Sequence, residues 1–454
     1  MAAPVLNFKD GSYLDPLLTC DSAFFNYFET PKVDDTIQSV TQVCYQPSVP
    51  ISTSSRTLNF SIPASQNFLN LNSLELEIDL RIVGPNNEAI QPPHAADPST
   101  NPPTPAWQGC VFEQMIGSMV IASCEIRLQD TLVSTLDANY GVQSFVLMLL
   151  GYTKACQKSK LTLWGVALDS DPSSLNFLAP VDGSYKRSMW QQGSGIARYR
   201  TPIFSPLTTQ QRALLPMCRL DFTFRLNNDK FCLLSAVPNT DFQYEVHGAK
   251  LIGEVIQTSA EFQLALEKQL SLKPARYEIE NFYTKTYIVP NSIFEFRVSD
   301  PFQSSFLPEK AIVFFSSAIT PSYATSQVDF PSFHIDDIYF NISGTKRPAV
   351  SFQGNLSGRR AFVRAYRALF NSALADEESF LSQDLFGAHY CFFSFNLGQP
   401  NFCQTSIRTK NLCNSELVVH FSPTSANPSL RCYILTFAPE TLQITAQRTV
   451  IKNY

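Results

Sequence analysis

The chain has 454 residues, 16% of them charged, and a formal net charge of −5. That length exceeds the size at which one core keeps growing and predicts two domains of roughly 200 residues each. The acidic balance, with no basic run at either end, excludes a body that grips nucleic acid by neutralising phosphates. Phe is abundant at 36, with 30 Pro and only 17 Gly, a composition that suits aromatic-filled sandwiches with stiff loops better than a glycine-rich nucleotide fold.

Residues 1 to about 50 show little periodicity and mix Phe24, Phe25, Tyr27 and Phe28 with Pro and Asp. They read as an extended arm, docked either across the chain's own sandwich or on a neighbouring molecule. The first half then carries three half-buried strands. Leu74, Leu76, Ile78, Leu80 and Ile82 alternate with Glu75, Glu77, Asp79 and Arg81, so one face is apolar and the other wet. Cys124, Ile126 and Leu128 repeat the pattern, as do Leu220, Phe222, Phe224 and Leu226. Between the first two strands lies a proline-stiffened loop, Pro85 to Trp107. A helix is expected over Tyr140 to Leu150, followed by an irregular insertion, about Gln157 to Leu214, that holds a second long loop, Asp169 to Pro206.

Thr258 to Leu272 is expected to form a bridging helix, with Thr258 and Glu261 spaced as a capping box and Phe262, Ala265, Leu266 and Leu270 as its apolar stripe. Pro274 closes it. The second half repeats the first: strands over Ile338 to Ile342, Cys391 to Leu397, Leu417 to Phe421 and Arg431 to Phe437, with a helix over Ala361 to Phe370 that groups Phe362, Tyr366, Leu369 and Phe370 on one face. Pro, Gly, Asn and Ser bound each run, as antiparallel strands require. The fold class is therefore all-β, two sandwiches in tandem with a short helix in each: residues 1–50 an arm, 51–257 the first domain, 258–273 the linker and 274–454 the second domain.

Chemical motifs are sparse. The 11 cysteines are an odd number, several lie in strands, and no apolar leader or membrane span is expected, so reduced, core-packed thiols are the default. Sequons at Asn59, Asn341 and Asn355 then read as chance matches. His94, His247, His334, His389 and His420 are scattered, with no Cys-x-x-Cys or His-x-His, so neither metal nor cofactor is expected. Ser343-Gly344-Thr345-Lys346 lacks the upstream glycine of a phosphate loop, and Gly193-Ser194-Gly195 stands alone. No residue is singled out as catalytic. Arg360, Arg364 and Arg367 form a basic stripe on the second helix, read as a solvated or salt-bridged face ahead of a nucleic-acid contact.

Several segments together resemble the double jelly-roll major capsid proteins of Polinton/Maverick elements and adintoviruses. They run in order over roughly 390 residues: Asn59 to Pro63 before the Leu74 strand, Leu128 to Ser134, Asp229 to Ser235, Pro274 to Tyr277 leading into Thr284 to Pro290, Arg364 to Phe370, and Phe395 to Leu397. The resemblance implies two tandem eight-stranded jelly rolls in a homotrimeric, pseudohexameric capsomer that tiles an icosahedral shell around double-stranded DNA. Its partners would be copies of itself, then penton and minor capsid proteins, with no specific nucleic-acid binding, no membrane span and no enzymatic role. The long loops would build towers or trimer contacts, and the arm before Gln46 would reach under a neighbour. The rival readings are a two-jelly-roll enzyme, which needs clustered His and Met or paired carboxylates, and a lectin-like or spike module, which calls for secretion and disulfides.

Overall fold

A computed structural model describes residues 36–90, 109–136, 139–153, 155–156, 159–169, 171–172, 182–235, 237, 240–302, 306–317, 319–354, 361–371, 379, 381–398, 413–422 and 428–453. In chain order the first half holds β1 (Ile37–Tyr45), β2 (Thr57–Ile62), β3 (Phe68–Val83), β4 (Cys110–Phe112), α1 (Ile116–Met119), β5 (Ile121–Leu128), β6 (Thr131–Leu136), α2 (Tyr140–Gly151), α3 (Gly183–Gln191), β7 (Ala197–Pro202), β8 (Leu220–Leu226), α4 (Asp229–Cys232), β9 (Leu233–Ser235) and β10 (Gln243–Thr258). Helix α5 (Ala260–Leu272) follows. The second half holds β11 (Ala275–Val289), β12 (Glu295–Ser299), β13 (Lys310–Ser316), β14 (Ile335–Ile342), β15 (Thr345–Phe352), α6 (Val363–Asn371), α7 (Gln383–Ala388), β16 (Phe393–Asn396), β17 (Ser415–Phe421), β18 (Leu430–Ile444) and β19 (Val450–Asn453).

The two halves have one topology written twice. The first pairs its strands in the orders β1-β10-β3-β7 and β2-β8-β5-β6; the second in the orders β11-β18-β13-β16 and β12-β17-β14-β15. Every pairing is antiparallel, and strand for strand the orders match, so the fold is a double jelly roll. Strands β4 and β9 form a small extra ribbon, and β19 extends the second half by pairing with the end of β18. Pro439 falls between the stretches of β18 that pair with β13 (to Phe437) and with β19 (from Thr441), where β18 has a partner on one side only. Both halves place a pair of helices in the same connection, α2 and α3 between β6 and β7 and α6 and α7 between β15 and β16.

Several expectations are corrected. Residues 37–45, taken as part of an arm, are strand β1, paired with β10 from Ile37↔Thr258 to Tyr45↔Leu251. Alternation failed as a signal because β1 buries almost nothing: most of its residues are exposed on both faces. Residues 1–35 of the expected arm and 91–107 of the proline-rich loop lie outside the described residues. The irregular insertion contains β7, whose buried Ala197, Tyr199 and Thr201 alternate with Arg198 and Arg200. Those arginines meet Asp79 (2.7 Å) and Glu75 across the β3–β7 ladder. The bridging helix is capped by Ser259, whose side chain accepts from Phe262 N, rather than by Thr258, and only Leu270 of its stripe is fully buried.

Each half was expected to keep its own core. The apolar packing is instead continuous, because aromatic side chains in the connections join the two. The second half is the richer: Phe314 is fully buried, with its ring centroid 4.9 Å from those of Phe330 and Tyr433 and 5.6 Å from that of Phe392. Phe340 and Phe395, from opposite sheets, meet edge-on at 4.8 Å. Replacing Phe314 with Ala is expected to lower unfolding stability by about 3–5 kcal/mol, read from the midpoint of urea unfolding followed by tryptophan fluorescence.

Candidate functional site

Among the described residues no three His, Cys, Asp or Glu side chains gather as a metal-binding group. Three of the scattered histidines stand singly beside carboxylates: His247 3.1 Å from Glu245, His389 3.1 Å from Asp329, and His420 3.5 Å from Glu295. His94 lies outside the described residues. Ser343 and Gly344 take left-handed φ values of 48° and 82° in the tight turn between β14 and β15. Ser194 accepts from Ile90 N at 2.6 Å and from Arg81 Nε at 2.9 Å. Both glycine-bearing motifs are thus turns with structural bonds. Burial pushes the Cys218 thiol up to about 11 and drives Cys124, Cys391 and Cys432 higher still, which leaves these thiols protonated and unreactive.

The functional geometry lies instead in how one sandwich meets the other. The first presents its β6–β7 side, covered by α2; the second presents β11. Gln143 of α2 accepts from Thr284 Oγ1 of β11 at 2.9 Å, and Tyr277 of β11 donates to Ala213 O at 3.0 Å while accepting from Leu215 N at 3.2 Å. Lys452 of β19 donates to Val133 O of β6 at 3.1 Å. Phe145 of α2 packs on Tyr390, and Ser379 donates to Leu149 O at 3.1 Å. Helix α2 is therefore buried nearly all round, where a solvent-facing helix would show a polar stripe.

At one end of the molecule the long connections interlock. Ser235 N donates to Tyr323 O at 2.7 Å, and Tyr323 donates back to Phe242 O at 2.6 Å. Glu113, fully buried, accepts from Ser326 Oγ and Gln327 N, both at 3.0 Å. Burial pushes its carboxyl above the usual range. Close by, Arg187 and Asp169 form a two-pronged buried ion pair at 3.0 and 3.2 Å. Arg187 Nε also donates to Phe112 O at 3.0 Å, and Gln114 donates to Asp169 at 3.1 Å. These residues fix the loop walls of the first sandwich against the loop of the second. Sequence reasoning missed them, although an Arg in a low-charge loop beside buried aromatics was an available signal.

Among the described residues, the counterparts of these two surfaces lie exposed at the outer sides. Strand β1, the counterpart of β11, exposes Ile37 (53%) and Val40 (54%). Helix α6, the counterpart of α2, buries Ala365 and Leu369, with Phe362 buried just ahead of it, but exposes Val363 at 45%. Arg364 and Arg367 of the expected stripe are exposed there and line one cavity with Arg347, which the sequence did not flag; Arg360 lies outside the described residues.

No family model matches the sequence, and no curated protein matches it. Solved structures do align over most or all of its length. A chain of the Sputnik virophage, known from cryo-EM at 3.5 Å, aligns with a TM-score of 0.61 at 14% identity, over 100% of this chain and 94% of that one. The mavirus major capsid protein aligns with a TM-score of 0.55 at 9% identity, over 100% and 97%. The Faustovirus major capsid protein gives 0.55 at 9%, over 92% and 92%. At such identities the likeness is one of fold.

Breaking the buried pair by Arg187→Met is expected to cost about 3–5 kcal/mol, because it strands the Asp169 charge. The double variant with Asp169→Leu should cost less than the sum of the two single changes, by at least about 1 kcal/mol in a urea-unfolding cycle. The hydrogen bond that His389 Nδ1 donates to Asp329, aided by the charges of Asp329 and Asp171, raises the pKa of His389 above its ordinary value against the opposing effect of burial. A raised histidine stabilises the fold fully below about pH 6.5 and loses that contribution as pH climbs through the folded pKa. Thermal unfolding from pH 6 to about pH 8.5 should show this decline, and His389→Gln should remove it.

Proposed function

We propose that the chain is a major capsid protein whose copies join edge to edge into a trimeric, pseudohexagonal capsomer. The observation that carries this reading is the duplicated edge: the α2-covered side of the first sandwich sits on β11 of the second, and the equivalent α6-covered side and β1 are left bare. A head-to-tail contact of this kind forms rings when its rotation closes. Three chains then present alternating first and second sandwiches around one axis, and the outer sides become nearly equivalent tiles. The fold shared with the mavirus and Faustovirus major capsid proteins supports the same reading.

In this reading the protein is structural rather than enzymatic and ends in the virion, an icosahedral shell around double-stranded DNA, with penton and minor capsid proteins as further partners. The segment 258–273 joins the tiles at 51–257 and 274–454, the first tile extending back to include β1. The residues from Asn59 to Leu397 that resemble Polinton/Maverick and adintovirus capsid proteins point to that lineage. The interlocked connections at one end are suited to form a tower, since loops gathered on a rigid scaffold are where capsomer surfaces differ.

Light scattering of the purified chain should give three times 50.8 kDa, and negative-stain images should show a hexagonal outline. A stable monomer at micromolar concentration would overturn the proposal. Val40→Asp on β1 or Val363→Asp on α6 should each shift the mass to that of a single chain while leaving the circular dichroism spectrum unchanged, because a charge in an apolar contact is paid for only on association.

A further inference from the structure

Beside α6, at the bare side of the second sandwich, is a cavity of about 310 Å³. Arg347 from β15 and Arg364 and Arg367 from α6 line it, over an apolar floor that includes Phe352 and Phe395, whose ring centroids are 5.1 Å apart. Arg347 donates one N–H to Leu397 O at 2.7 Å, which holds its guanidinium at the wall. Among the described residues no carboxylate forms an ion pair with any of the three. Three like charges sharing one cavity repel one another, so a negative ligand is favoured; guanidinium forks bind carboxylates bidentately, and the aromatic floor favours a ring.

The chain carries a segment of that chemistry. Residues 1–35 contain six carboxylates against two lysines, and six aromatics, of which four, Phe24, Phe25, Tyr27 and Phe28, lie between Asp21 and Glu29. That segment lies just ahead of β1, which begins at Ile37. At about 3.3–3.6 Å per residue, the link from Glu29 to Ile37 spans at most roughly 28 Å. Within the chain the α2-covered side meets β11, so the equivalent α6-covered side of one copy would meet β1 of the next. On such an edge pairing the neighbour's acidic, aromatic segment would be tethered at the same seam as the cavity.

We propose that the cavity formed by Arg347, Arg364 and Arg367 receives the segment Asp21 to Glu29 of the adjacent copy, with a Phe or Tyr ring on the floor and Asp21 and Glu29 on the arginines. The inference rests on the self-assembly reading above and names the latch that holds the ring closed. An ion-paired latch of this kind weakens as salt rises.

The test uses the full-length chain with a photo-crosslinking benzoylphenylalanine in place of Phe25, prepared as a mixture of light and heavy isotopic copies. Irradiation should give adducts between copies that map to 347–368 or 394–397. Their yield should fall at least tenfold in R364E/R367E and recover when that variant also carries D21R/E29R. Adducts within one chain, adducts elsewhere, or a yield indifferent to the charge reversal would overturn the latch. Mass measurement on the same samples separates the two failures: copies that associate without these adducts refute only the latch, whereas copies that stay monomeric refute the assembly reading with it.

Discussion

An eight-stranded sandwich closes its core above and below but not along its sides, where edge strands stop and apolar side chains meet water. Everything distinctive in this molecule answers that constraint. The first sandwich covers one open side with α2 and then sets α2 against β11 of the second, so the seam between sheets becomes interior. The second covers its equivalent side with α6, backed by α7, and Val363 remains exposed. Edge strands left bare are liabilities in a protein that must stay monomeric. Here they are placed where a second copy of the same junction would remove them.

The difference between α2 and α6 is written in their residues. Tyr140 to Leu150 has no charged residue and reads as a helix without a wet side, which only makes sense if protein surrounds it. Arg364 and Arg367 interrupt α6 at positions that face outward. A cover that is permanent can be wholly apolar, whereas a cover completed by a separate molecule has to keep the free chain soluble in the meantime. The polar cluster of Glu113, Asp169 and Arg187 follows a related logic at the interlocked end. Its worth is in alignment more than in stability, since buried charges are costly to desolvate and tolerate few geometries.

Much of the fold was legible because burial on one face imposes alternation. Strands β3, β5, β8 and β14 each have one face in the core and one largely outside, and each announced itself by period two. Strand β1 did not, because an edge strand exposed on both faces has no reason to alternate. Strand β7 did alternate, but its Arg198 and Arg200 disguised it as loop until β3 supplied their partners. The cavity was half legible: Arg364 and Arg367 share a helix face that spacing reveals, while Arg347 reaches them only through the fold of β15. Side-chain clusters assembled from distant strands leave no local pattern to read.

Writing two sandwiches into one chain also changes the energetics of a ring. In a ring of identical single sandwiches every junction must overcome the loss of translational and rotational freedom of a separate molecule. When the sandwiches are joined in pairs, half of the junctions form within a chain, at the high effective concentration that a short connection supplies. Helix α5, capped by Ser259 and stopped before Pro274, makes that connection short and stiff. The internal junction can then be large, dry and fixed at folding, and evolution is free to make the external one weaker, more polar and reversible. In the proposed shell reversibility would matter, because a misplaced tile has to come off before its neighbours lock it in. The apolar α2 and the arginine-bearing α6 are the two solutions that this division of labour would call for in the proposed ring.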